Sequence, residues 1–84
     1  MYKIVRTAKK RGDIMKINTT TMFGSAIKKR RKKLCYTQKY ISEVSGMSTS
    51  FISDLENGKT TTELGKAIYL ANLLGLDIEL NERG

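Results

Sequence analysis

Eighty-four residues with a single cysteine, Cys35, and no histidine allow one small core, no intramolecular disulfide and almost no ligands for a zinc site. The missing histidine also removes the usual general base, so neither an enzyme nor a bound metal or cofactor is expected. The formal net charge of +8 is unevenly spread: Met1–Cys35 carries twelve Lys/Arg against the single Asp13, whereas Tyr36–Gly84 carries four against seven acids. A polycationic front half suits a polyanion, nucleic acid ahead of anionic lipid, although such runs are as often a solvated helix face.

Residues 1–18 read as a basic arm. Tyr2 to Arg6 leans towards β structure, Thr7 to Gly12 is linker-like, and Met15 is a plausible second translation start. No apolar h-region marks a signal peptide, and no run approaches the roughly 18 apolar residues of a membrane span. Residues 19–76 carry helical patterning. Thr19, Thr20 and Thr21 are N-cap candidates for a first helix with Phe23, Ala26, Ile27 and Leu34 along one stripe and Arg30 on the same side. Lys28, Lys29, Lys32 and Lys33 lie mostly off that stripe, towards the end where the macrodipole favours cations.

Thr37 caps a short second helix with Ile41 and Val44 inward, stopped by Gly46. Ser48 caps a third that buries Ile52 and Leu55 and ends at Asn57-Gly58. Two short helices joined by a tight glycine turn form a helix-turn-helix. Thr61 and Thr62 precede a fourth helix with Leu64, Ala67, Ile68, Ala71 and Leu74 at helical spacing. Gly75 reads as its left-handed C′ residue, with Leu76 packing back. Leu76, Ile78 and Leu80 then alternate with Asp77, Glu79 and Asn81, the period of a half-buried strand in residues 77–84. One strand cannot satisfy its own backbone, so a second must come from elsewhere.

The runs Thr37-Gln38-Lys39-Tyr40-Ile41, Gly46-Met47-Ser48, Ile52-Ser53-Asp54-Leu55-Glu56-Asn57-Gly58-Lys59 and Leu70-Ala71…Leu74-Gly75-Leu76-Asp77 resemble the Xre/Cro-type helix-turn-helix family over Phe23–Leu76. The resemblance implies an all-α, lambda-repressor-like bundle of four to five helices. It also implies a transcriptional repressor that binds double-stranded DNA. The third helix would then enter the major groove, with base contacts from Ser48, Thr49, Ser50, Ser53 and Asp54. Phosphate contacts would come from Thr37, Gln38, Lys39, Asn57, Lys59, Thr60, Lys32 and Lys33, with an adjacent base edge as the alternative for Gln38. Each has a plainer reading beside it: Thr37 and Ser48 as caps, Ser50 and Ser53 as spacers, Asn57-Gly58 as a turn. Arg31 and Glu56 resemble the family's internal ion pair rather than DNA contacts.

The chain departs from the family at Cys35, where glycine is usual, so the turn is expected to be built differently there. It departs also at Tyr36, which replaces a buried aliphatic. The groove-facing residues are small hydroxyls that discriminate bases poorly, so DNA shape, water or the basic arm would share the readout. The Leu-Gly-Leu-Asp-Ile-Glu-Leu ending resembles the HipB-type antitoxins. This implies a homodimer on a palindromic operator, with a short C-terminal β-strand (Asp77, Ile78, Glu79, Leu80) pairing with its twofold mate. The resemblance further implies repression of a toxin–antitoxin operon and a HipA-type Ser/Thr kinase toxin as partner. Location would be the bacterial cytoplasm, on the nucleoid. The alternative is a stand-alone phage-type or metabolic repressor. Tyr2 to Arg6 could add to the dimer sheet, bringing Lys3 and Arg6 near Asp77 and Glu79.

Overall fold

In the computed structural model, which describes residues 14–84, four helices occur in the order α1 (Thr20–Lys33), α2 (Gln38–Ser45), α3 (Thr49–Glu56) and α4 (Leu64–Leu73). The expectations placed on Tyr2 to Arg6 and on Thr7 to Gly12 lie outside the described residues. Three of the four helices begin on a hydroxyl cap. Thr19 Oγ1 accepts from Met22 N (3.1 Å), Thr37 Oγ1 from Tyr40 N (3.0 Å) and Ser48 Oγ from Phe51 N (3.0 Å). Each removes one orphan N–H at a helix start. The fourth has Glu63 at its N-cap and no side-chain cap, and Thr62, one position before it, donates its Oγ1 to the Lys59 carbonyl (2.9 Å).

Three helices end alike. After α1, Cys35 N donates to Lys32 O and Tyr36 N to Arg31 O. After α3, Gly58 N donates to Leu55 O and Lys59 N to Asp54 O. After α4, Gly75 N donates to Asn72 O and Leu76 N to Ala71 O. Each is the paired hydrogen bonding of a Schellman motif around a left-handed C′ residue. Gly58 and Gly75 take it at φ 82° and 80°, and Cys35 takes it at φ 64°. The different turn expected at Cys35 is therefore not formed. The two hydrogen bonds hold the turn, and the cysteine bears the Cβ penalty.

The core comprises Ile27 from α1, Ile41 from α2, Ile52 and Leu55 from α3, and Ala67, Leu70, Ala71 and Leu74 from α4 and its cap, flanked by Phe23, Leu34, Met47, Phe51 and Leu76. α3 packs between α1 and α2. Where α1 crosses α3 the two backbones are in contact: a Cβ on Gly24 would collide with the Leu55 and Glu56 carbonyls. At the near end, Thr20 Oγ1 donates to Gly58 O (2.8 Å), and a Cβ on Gly58 would overlap Thr21.

Several expected inward residues are not inward. Val44 is exposed, and the flanking serines bond the following turn: Ser42 Oγ donates to Met47 O (2.6 Å), and Ser45 Oγ accepts from Met47 N (3.1 Å). In α4 the buried stripe is Ala67, Leu70, Ala71 and Leu74, centred one position round from the pattern expected, so Leu64 and Ile68 are exposed and Leu70 is fully buried. Tyr36 is exposed too, tilted against Tyr40 with ring centroids 4.9 Å apart. The strand expected over Asp77, Ile78, Glu79 and Leu80 is not formed. These residues carry no regular structure, and among the described residues no second strand completes a ladder.

Two substitutions separate these backbone constraints. Cys35→Gly is expected to raise stability by about 0.5–1 kcal/mol, the left-handed strain relieved less the entropy of an added glycine. Gly24→Ala is expected to lower it by about 3 kcal/mol or more, by forcing α1 off α3. Urea unfolding followed by circular dichroism measures both.

Candidate nucleic-acid interface

The end of α1, the start of α2 and the end of α3 meet at one ion pair. Arg31 Nε and Nη2 donate to the two carboxylate oxygens of Glu56 at 2.6 and 2.9 Å, and Nη1 donates to the Tyr36 carbonyl at 2.8 Å. Gln38 Nε2 donates to Glu56 Oε1 at 3.0 Å. Both charged side chains are buried, and among the described residues no buried side-chain polar atom lacks a partner. Burial by itself pushes the Glu56 carboxyl up. The hydrogen bonds from Arg31 and Gln38, with the charges of Arg31 and Lys28, outweigh it and hold the group below its ordinary value. The hydrogen bonds that Arg31 donates to Glu56 in turn raise the already high Arg31 pKa. The pair remains ionised through neutral pH.

This node decides what surrounds it. It ties Gln38 at the start of α2 to Glu56 at the end of α3, and the Tyr36 carbonyl to Arg31 in the cationic last turn of α1, which also holds Arg30, Lys32 and Lys33. Thr37, Lys39, Asn57, Lys59 and Thr60 are exposed, as are Lys32 and Lys33. Gln38 is half-buried and turned inward, with one of its two amide N–H groups already committed to Glu56. The backbone N–H groups of Gln38 and Lys39 precede the first acceptor inside α2, so they point out of the helix start, a ready anion site.

At the opposite end of α3, Ser48, Thr49 and Ser50 are exposed, and one turn further on Ser53 and Asp54 are half-buried. Eight helical residues span about 12 Å, a length comparable to the width of a DNA major groove. Asp54 is not free: its carboxylate accepts from Lys59 Nζ at 3.3 Å, with both side chains about half exposed (50% and 55%).

Two contacts escaped the sequence reading. Arg30 Nε donates to the Leu74 carbonyl at 2.8 Å, and a side chain on Gly75 would press on its guanidinium, 3.0 Å from the Cβ position. A cation on an apolar stripe was the available signal. Gln38 as a brace for Glu56 left no sequence signal separable from its expected phosphate contact. Among the described residues no three His, Cys, Asp or Glu side chains gather to hold a metal ion, and no helix is long and apolar enough to cross a membrane.

Residues 27–81 match a helix-turn-helix family model, HTH_3. The chain is 32% identical over 65 residues to the uncharacterized HTH-type transcriptional regulator y4mF of Sinorhizobium fredii, covering 77% of this chain and 86% of the relative. Among solved structures, it resembles HipB in a HipB–O4 20mer complex and in a HipA–HipB–O2–O3 complex. In each the TM-score is 0.76 and the identity 25%, over 84% of this chain and the whole of the other.

The buried node makes stability depend on acid. Because the Glu56 pKa is lowered on folding, its contribution is present above the ordinary value of about 4.5 and is lost as pH falls through the lowered folded value. Thermal melts of Glu56→Gln are expected to show a lower midpoint at pH 7, by the equivalent of about 3 kcal/mol, and a shallower decline below pH 4.5.

Proposed function

This chain belongs to the helix-turn-helix family of transcriptional regulators, and on that premise we propose that it is a sequence-specific, double-stranded-DNA-binding repressor, the HipB-like antitoxin of a type II toxin–antitoxin operon. It represses that operon and binds a HipA-type kinase toxin, acting in the bacterial cytoplasm on the nucleoid. The observation that carries this reading is the match of its fold to the entire HipB chain, in complexes with a 20-mer and with HipA (TM-score 0.76). Twenty base pairs are about two turns of duplex, the span of two half-sites. Support also comes from the patch itself, where hydroxyl side chains and free helix-start N–H groups are bordered by lysines.

In this reading Ser48, Thr49, Ser50, Ser53 and Asp54 face base edges. Thr37, Gln38, Lys39, Asn57, Lys59, Thr60, Lys32 and Lys33 hold phosphates and so set the register. Two copies pair through Asp77, Ile78, Glu79 and Leu80, which places the recognition helices about one helical turn apart on a palindromic operator. The exposed Ile78 and Leu80 give that segment apolar surface to bury on pairing. The name of the Sinorhizobium fredii relative, a transcriptional regulator without a stated toxin, favours the second reading, a stand-alone repressor. Purification of the tagged chain from its host separates the two: a kinase-sized partner supports the antitoxin, and DNA with homodimer alone supports the stand-alone form.

Two measurements test the interface. Replacing Lys32 and Lys33 together by Ala is expected to weaken binding to every duplex and to lower the salt slope by about two per protomer, read by fluorescence anisotropy from 50 to 200 mM salt. An unchanged slope removes both lysines from the phosphate contacts. Deleting residues 77–84 is expected to yield a monomer in sedimentation and to abolish tight operator binding while the helical circular dichroism persists.

A further inference from the structure

The accessible face of α3 is made of hydroxyls, and besides the buried Glu56 the helix carries one charged side chain, Asp54. A carboxylate at a surface that meets a polyanion is repelled by it, unless a base offers a donor. Asp54 is also held by the fold. Lys59 N donates to the Asp54 carbonyl (3.0 Å) in the turn around Gly58, and the same turn returns Lys59 Nζ to the Asp54 carboxylate at 3.3 Å. Both side chains remain about half exposed, 50% for Asp54 and 55% for Lys59, so the pair is open to exchange without unfolding.

Resting on the DNA-binding reading above, we propose that Asp54 is the base-discriminating residue of α3 and that Lys59 is its exchangeable counter-ion. In free protein Lys59 neutralises Asp54. On DNA, Lys59 transfers to a backbone phosphate, and Asp54 accepts a hydrogen bond from the N4 amino group of a cytosine. The chemistry favours cytosine over the other bases. A carboxylate only accepts, and in the major groove guanine offers N7 and O6, both acceptors, while thymine offers O4 and a methyl. Adenine offers an amino group, but with the N7 acceptor beside it, against which the second carboxylate oxygen would lie. Cytosine presents the amino group with no acceptor of its own beside it. The hydroxyls at Thr49, Ser50 and Ser53 donate or accept with little preference, so the one strict acceptor on the helix sets the most selective position.

The test selects sites from a randomised duplex library with the full chain and its variants, then measures affinity for the selected duplexes. The wild type is expected to select cytosine at one position of each half-site, with other bases there costing about tenfold to a hundredfold in affinity. Asp54→Asn is expected to move that position to adenine, through the N6/N7 pair that an amide reads, and to leave the other positions unchanged. Lys59→Met is expected to weaken all duplexes, to lower the salt slope by about one per protomer and to keep the cytosine. Unfolding midpoints within a few degrees of wild type would show that both variants fold. An unchanged selected sequence for Asp54→Asn overturns the inference and leaves DNA binding standing. Lys59→Met with an unaltered salt slope overturns the exchange. A wild type that prefers no duplex overturns the repressor reading with it.

Discussion

One buried guanidinium–carboxylate pair holds the helix-turn-helix in register. Arg31 and Glu56 lie 25 positions apart in sequence and meet through two parallel hydrogen bonds, so the relative rotation of α1 and α3 has little freedom. Replacing such a pair by well-packed apolar residues can be neutral or favourable, whereas losing one partner leaves a buried charge. Its value here is geometric. The remaining donors of Arg31 and acceptors of Glu56 are used on the Tyr36 carbonyl and Gln38, which brings the start of α2 into the same arrangement. Four groups from three helices and one loop thus share a single fixed point.

The glycine contacts act in the same direction. At Gly24 the backbones of α1 and α3 approach closely enough to exclude any side chain, and at Gly58 the loop after α3 lies on the start of α1. Among the described residues the apolar core is small: Ile27, Ile41, Ile52, Leu70 and Leu74 are its almost completely enclosed large side chains. A core of that size resists distortion weakly. Close backbone contact and a bidentate ion pair supply the rigidity that bulk burial does not, and they do so at the helix whose surface residues form the candidate interface.

Much of this was legible because local chemistry and global fold agree. Threonine or serine before an apolar period announced three helix starts, and glycine announced two of the three Schellman turns, because each residue type answers a local need. Arg31 with Glu56 was legible only through the family resemblance, since nothing local pairs residues so far apart. What failed was rotational phase. Val44, Leu64 and Ile68 are apolar and near the inward period, and only the positions of neighbouring helices show that Leu70, not Ile68, faces the core. Cys35 was misread because a penalty of about 1 kcal/mol is small beside two hydrogen bonds that close the turn. The alternation after Leu76 has the period of a strand, but a period alone supplies no partner for its backbone.

Arg30 has a consequence for scale. Its hydrogen bond to the Leu74 carbonyl, over a Gly75 too small to push it away, sets the direction in which the polypeptide leaves the bundle. Everything beyond Leu76 inherits that bearing. In a two-headed reader of DNA, the distance between the heads is fixed by such exit angles, and an error of about 3.4 Å is a whole base pair. A single side chain on α1, remote from any base, would in that case act as the calibration screw of the ruler.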